Sequence, residues 1–160
     1  MEFAHIPVML EECIQGLNLK PDGVYFDGTI GGAGHSYEIL KRTSPTGRLI
    51  ATDLDDEAIA AASKRLEEFT GRFKIYKSDY KRYETVLEED GTNQLDGAIL
   101  DFGVSSYQLD NAERGFSYMR AEAPLDMRMD RSQAFTAQNL VNEYSREKIA
   151  EILKRYGEEN

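Results

Sequence analysis

Asp27-Gly28-Thr29-Ile30-Gly31-Gly32-Ala33-Gly34-His35-Ser36 is the stretch on which the reading of the whole chain turns. It follows Val24-Tyr25-Phe26, a short apolar run bounded by Gly23 and Asp27, the composition of a compact buried strand. Glycine has no Cβ and accepts positive φ, so the loop from Gly28 to Gly34 lets backbone pass close to a ligand. A helix is expected next, from about Ser36 to Arg42. Strand, glycine loop and helix in that order open an α/β unit, whose ligands bind outside the carboxyl ends of the strands.

The same alternation continues downstream. Leu49-Ile50-Ala51-Thr52 reads as a second strand ending in Asp53, and Asp55 or Asp56 is placed to cap the helix that runs to about Phe69. Ala58, Ile59, Ala62 and Leu66 recur there at helical spacing. Phe73-Lys74-Ile75-Tyr76 reads as a third strand, followed by Ser78-Asp79-Tyr80 and a short helix from Tyr83 to Glu89 with Val86 and Leu87 inward. Gly97-Ala98-Ile99-Leu100 is a fourth strand ending in Asp101. Upstream, a helix is expected from Pro7 to Leu17, with Pro7 at its first position and Leu10, Ile14 and Leu17 on one face, Cys13 among the core residues. Strands separated by helices predict a doubly wound parallel sheet. Phe102 to Arg131 has no sustained period and contains Gly103, Gly115 and Pro124, so a long ordered loop is expected, and a loop of this kind is usually functional. Two helices follow, near Ala137 to Tyr144 and Arg146 to Tyr156; Ser145 caps the second and Gly157 stops it.

Composition narrows the classes. The 160 residues, 41% apolar and 30% charged, suffice for one domain with a core. No apolar run is long enough to span a bilayer, and Met1 to Leu10 carries no basic region ahead of an apolar stretch, so a cytoplasmic protein without signal peptide is expected. The single Cys13 excludes an intrachain disulfide and a cysteine zinc site; with only His5 and His35 besides, no metal is expected. The net charge of -10 argues against a broad phosphate-binding surface. Arg114, Arg120, Arg128 and Arg131 sit among Glu122, Asp126 and Asp130, a roughly balanced stretch in which Arg114, Arg120 and Arg128 either meet RNA phosphate or pair with Glu113, Asp126 and Asp130.

The acids near the predicted strand ends, Asp27, Asp53, Asp79 and Asp101, carry the chemistry. Asp53, nineteen residues beyond Gly34, is placed to accept hydrogen bonds from both ribose hydroxyls of a bound nucleoside. Dinucleotide and S-adenosylmethionine sites share that feature. The loop does not spell G-x-G-x-x-G, since no third glycine follows Gly34 at the required spacing. Asp27 and Asp101 would repel a pyrophosphate but attract the sulfonium and ammonium of S-adenosylmethionine. The acids therefore favour the methyl donor. Asp27 and Asp101 as mere turn-closing caps, and a dinucleotide oxidoreductase, are the alternatives.

The loop, His5-Ile6-Pro7-Val8-Met9-Leu10, Leu100 to Asp110, Glu113-Arg114-Gly115-Phe116-Ser117, Pro124 to Asp130 and Tyr156-Gly157-Glu158-Glu159 together resemble the ribosomal RNA small subunit methyltransferase H family. Its members are bacterial S-adenosylmethionine-dependent enzymes that methylate the N4 amino group of a cytosine. The resemblance implies a Rossmann-like methyltransferase sheet, S-adenosylmethionine as cofactor and small-subunit ribosomal RNA as partner. It places Ala33, Gly34 and His35 against the cofactor, Asp53 on the ribose, Tyr80 beside the adenine, and Asp101 and Gln108 at further cofactor contacts. Only the resemblance selects Gln108. Two substitutions depart from the family pattern: Ala33 stands where glycine is usual, so φ there must stay negative or accept strain, and Phe102 replaces a leucine.

Family members continue well beyond Glu159. The expected organisation is therefore a cofactor-binding domain over residues 1–110, then a loop and the start of an inserted helical substrate-recognition domain over 111–160. The sheet would be incomplete, and its unpaired edge or the terminal helices would be surfaces for self-association. For methyl transfer the amino nitrogen must lose a proton, and Asp101, Ser105 and Ser106 are the nearest candidate acceptors. Phe102 or Tyr107 is placed to stack on the base. The alternatives are that Ser105 and Ser106 only hold the loop and that Phe102 is core. For the chain as a whole, the competing readings are a truncated cofactor-binding fragment without activity and a nucleotide-dependent oxidoreductase.

Overall fold

Four parallel strands organise the first part of the chain: β1 (Val24–Asp27), β2 (Arg48–Asp53), β3 (Phe73–Lys77) and β4 (Gly97–Ile99). The computed structural model describes residues 7–159, so His5 and Ile6 of the first family stretch lie outside the described residues. The strands pair in the order β3-β2-β1-β4, with Phe26 of β1 opposite Ile50 of β2 and Ala98 of β4. Helices α1 (Leu10–Leu17), α2 (Gly34–Arg42), α3 (Asp56–Arg65) and α4 (Tyr83–Asp90) alternate with them, the α/β arrangement expected from the sequence.

Consecutive strand residues face opposite sides of a sheet, so a strand covered on both faces must be apolar at every position. Tyr25, Leu49 and Ala51 point to one face and pack with Ile14 of α1, Ile39 and Leu40 of α2, and Ala62 and Leu66 around α3. Phe26 and Ile50 point to the other and meet Val86 of α4. This double coverage is why β1 and β2 read as unbroken apolar runs rather than alternating ones.

The element ends differ from expectation in places. The first helix starts at Leu10 rather than Pro7, because Met9 stands in the left-handed region (φ 48°) and breaks the helical path. Cys13 is partly exposed and does not join the core. Asp55, not Asp56, caps α3, accepting from the Glu57 N–H at 3.0 Å.

Asp90, at the end of α4, holds that helix to the sheet. Its carboxylate meets Arg48 of β2 at 3.1 Å and Lys74 of β3 at 2.8 Å, and accepts from the Tyr76 and Thr92 hydroxyls. Burial raises this carboxyl, but the bonds from Lys74, Thr92 and Tyr76 outweigh it and hold it below the usual carboxylate range.

The chain divides into two compact units, Met1–Ser105 and Ser106–Asn160. The second contains α5 (Ser106–Asp110), α6 (Ala137–Glu143) and α7 (Arg146–Tyr156). The stretch expected to be loop throughout, Phe102 to Arg131, therefore carries α5 and a 3-10 turn over Ala112–Arg114. Arg114 organises the rest. Its buried guanidinium donates to the carbonyls of Arg128 at 3.0 Å and Met129 at 3.3 Å. Gly115 has positive φ, and a Cβ there would overlap the Pro124 carbonyl. Arg128 pairs with Asp126 through two bonds, Nε to Oδ1 at 2.9 Å and Nη2 to Oδ2 at 2.7 Å, and chiefly by this bonding draws the Asp126 carboxyl down to about 2. Of the arginines weighed for RNA contact, Arg114 and Arg128 are thus committed inside their own unit, and Arg120 is exposed. Met127 stands in the left-handed region at φ 60°. Thr136 and Asn139 form a reciprocal cap on α6, and Ser145 caps α7. Among the described residues no helix is long and apolar enough to cross a membrane.

Replacing Asp90 by Asn is expected to lower unfolding free energy by about 1–3 kcal/mol at neutral pH, measured by denaturant titration. A depressed carboxyl stabilises the fold above its unfolded pKa and loses that contribution as pH falls through its folded value. The gap between wild type and variant should therefore close in strong acid; a gap that stays constant with pH would assign the effect to something other than the charge.

Candidate functional site

The carboxyl ends of β1 and β2 and the turn after β4 converge on the glycine loop. At their base is Asp27, buried at the end of β1. It accepts from the Ser36 hydroxyl at 2.5 Å and the Thr29 N–H at 3.1 Å, which fixes both the start of α2 and the first bend of the loop. Burial pushes this carboxyl above the usual range, against the bonds from Ser36 and Thr29.

Asp53 closes the loop from the β2 side. Its Oδ2 accepts from the Gly31 N–H at 2.9 Å and its Oδ1 from the Asp55 N–H at 3.0 Å. Burial raises this carboxyl too, with those backbone bonds opposing. An ionised carboxylate offers about four lone-pair sites, so it keeps acceptor capacity for a hydroxyl donor. Two further ties hold the loop: Thr52 Oγ1 donates to the Gly28 carbonyl at 3.0 Å, and Arg65 Nη1 donates to the Gly32 carbonyl at 2.9 Å.

Ala33 resolves the question its side chain poses. It adopts φ 58°, ψ 30° as the residue before α2, so the left-handed conformation is accepted at a non-glycine residue, at a cost of about 1–2 kcal/mol. Its methyl is fully buried in the core cluster, which offsets part of that cost. Gly34 is required for a different reason: a Cβ would overlap the Pro7 ring. Pro7 is thus a wedge against the loop rather than the first residue of a helix. His35 is buried, and its Nε2 lies 3.1 Å from the Val8 carbonyl. A carbonyl only accepts, so Nε2 carries the proton and donates. The imidazole clips the segment before α1 onto the start of α2.

Tyr80 opens a 3-10 turn after β3, and its Cβ comes close to Gly28, where a side chain would meet both it and Leu100. Phe102 is not core: it is 70% exposed, and its ring centroid lies 5.4 Å from that of Tyr80. The Asp101 carboxylate is at the surface, and its backbone N–H donates to Thr29 Oγ1 at 2.7 Å. Asp79 spends its side chain capping the Tyr80 turn, accepting from the Lys81 N–H at 2.9 Å. Ser105 is partly buried at the end of the first unit, and Ser106 opens α5 in the second. Gln108 is buried within the second unit, its amide 3.3 Å from the Met129 sulfur.

The structure therefore brings Ala33, Gly34, Asp53, Tyr80 and Asp101 to one end of the first unit's sheet, and places Gln108 and Ser106 in the other unit. Sequence reasoning missed Thr29, Ser36, Thr52 and Arg65, which hold the loop. A threonine set between Gly28 and Ile30, just past a strand-ending acid, was the one available signal. The others depend on contacts distant in sequence.

The sequence model of the MraW methylase family matches residues 2–160. The chain is 54% identical over 159 residues to the ribosomal RNA small subunit methyltransferase H of Lachnospira eligens, covering 99% of this chain and 50% of that one. It is 51% identical over 160 residues to the protein of the same name from Clostridioides difficile, covering 100% and 51%. The chain thus spans about half the length of the curated relatives it matches. Among solved structures it resembles a candidate rRNA-methylase from Clostridium thermocellum, with TM-score 0.51 and 18% identity over 64% of this chain and 57% of that one, a likeness of fold.

Gly34→Ala is expected to displace Pro7 and cost about 1–3 kcal/mol of stability, read by thermal melting with the His35 ring followed by NMR. An unaltered melt and an unaltered His35 environment would show that the Pro7 contact does not hold this segment.

Proposed function

The chain belongs to the MraW methylase family, and on that premise we propose that it binds S-adenosylmethionine at the carboxyl ends of β1, β2 and β4 for transfer to the N4 amino group of a cytosine in small-subunit ribosomal RNA. The observation that carries the proposal is the pair of carboxylates at the glycine loop. Asp27 lies buried beneath it and Asp53 is bonded to the Gly31 N–H. A pyrophosphate at this loop would be repelled by both acids, whereas a cationic, phosphate-free nucleoside would be attracted by them.

The donor set fits such a cofactor. Asp53 would accept the ribose hydroxyls, Tyr80 would flank the adenine, the backbone from Ala33 to His35 would face the methionine portion, and Asp101 would lie toward the cationic end. The resemblance extends this set to Gln108. When bound, S-adenosylmethionine supplies a methyl group on a sulfonium. The chain's own part is to hold the amino nitrogen in line and to accept its proton, a task for which Asp101, Ser105 and Ser106 are the candidates. Phe102, exposed and resting on Tyr80, offers an aromatic face at the same strand ends.

The free edge of β4 extends the proposal to self-association. β4 pairs with β1 alone among the described residues, and Ala98 and Leu100 are exposed beside that edge. Sedimentation should show concentration-dependent association; a monomer at high concentration would exclude it.

The cofactor reading is tested by calorimetry. S-adenosylhomocysteine should bind and NAD should not, and Asp53→Ala should weaken the first at least about tenfold, the loss of one or two charge-assisted hydrogen bonds. Binding of NAD alone would overturn the proposal.

A further inference from the structure

We infer that Thr29 is a positioning residue for the methyl-donor site and acts through Asp101; the inference rests on the reading of Asp101 as a cofactor contact. β4 is short and ends at Ile99, pairing on one side only among the described residues. Its last tie to β1 in the ladder direction is the Gly28 N–H to Ile99 carbonyl bond at 3.0 Å. Asp101 lies beyond that tie, two residues before Gly103 (φ 136°), where the missing Cβ leaves the backbone permissive. The backbone of Asp101 is held there by the hydroxyl of Thr29, which accepts its N–H at 2.7 Å.

Thr29 is itself fixed. Its N–H donates to Asp27 Oδ1 at 3.1 Å, and Asp27 is clamped on its other oxygen by Ser36. The buried acid thus sets the position of Thr29, and Thr29 sets where the chain leaves β4. The link joins two strand ends by one side chain, between residues far apart in sequence. Serine keeps the hydroxyl acceptor. Valine keeps the branched shape and removes it, and the exposed Asp101 N–H then turns to water, so the fold loses little.

The experiment compares Thr29→Val and Thr29→Ser in the 160-residue chain and in an Asp101→Asn background. In unliganded protein, NMR hydrogen exchange at the Asp101 amide should speed at least about tenfold in Thr29→Val and remain near wild type in Thr29→Ser. S-adenosylhomocysteine affinity should fall about tenfold in Thr29→Val, recover in Thr29→Ser, and change less than about twofold when Thr29→Val is added to Asp101→Asn. Full multiplication of the two losses, or unchanged exchange at Asp101, would overturn the inference while leaving the cofactor reading intact. Wild-type protein that binds no S-adenosylhomocysteine would overturn the cofactor reading, and this inference with it.

Discussion

A buried carboxylate must be satisfied by hydrogen bonds or neutralised, and Asp27 sits at the point where that requirement shapes everything around it. It ends β1, faces the interior, and takes bonds from Ser36 and Thr29. The first sets where α2 begins. The second bends the chain into the glycine loop. From there the constraint passes outward: Gly28 continues the β1–β4 pairing, Thr52 anchors the Gly28 carbonyl, and Gly31 turns its N–H to Asp53. The loop is therefore held from below by one acid and from the side by another, with Arg65 on the Gly32 carbonyl opposing them.

That arrangement bears on the proposed ligand. Glycine loops at strand ends commonly serve phosphates through free N–H groups and a helix N-terminus. Here the loop is bordered by carboxylates that burial has already made costly to ionise. A cationic ligand relieves that cost, whereas an anionic one adds to it. The acids thus support the proposed methyl-donor reading.

Three strands were legible as short apolar runs closed by an acid, at Val24 to Phe26, Leu49 to Thr52 and Gly97 to Leu100, and β3 was legible by the alternation of Phe73 and Ile75 with Lys74. The acids at Asp27, Asp53 and Asp101 were legible for the same reason: they sit where the runs stop. The start of α1 was not, since nothing local marks the left-handed turn at Met9. Nor was the role of Pro7, which depends on Gly34, or that of His35, which depends on Val8. The stretch from Phe102 to Arg131 lacked periodicity because its order comes from one buried guanidinium, Arg114, and an arginine in sequence reads as surface. Short elements such as α5 carry too few residues to show a period at all.

The most direct test of the account is an NMR titration of the chain with S-adenosylhomocysteine. The account predicts that the amide shifts concentrate at Thr29 to His35, Asp53, Tyr80 and Asp101, the ring of backbone at the strand ends. Shifts confined to other surfaces, or the same ring responding to NAD instead, would contradict it.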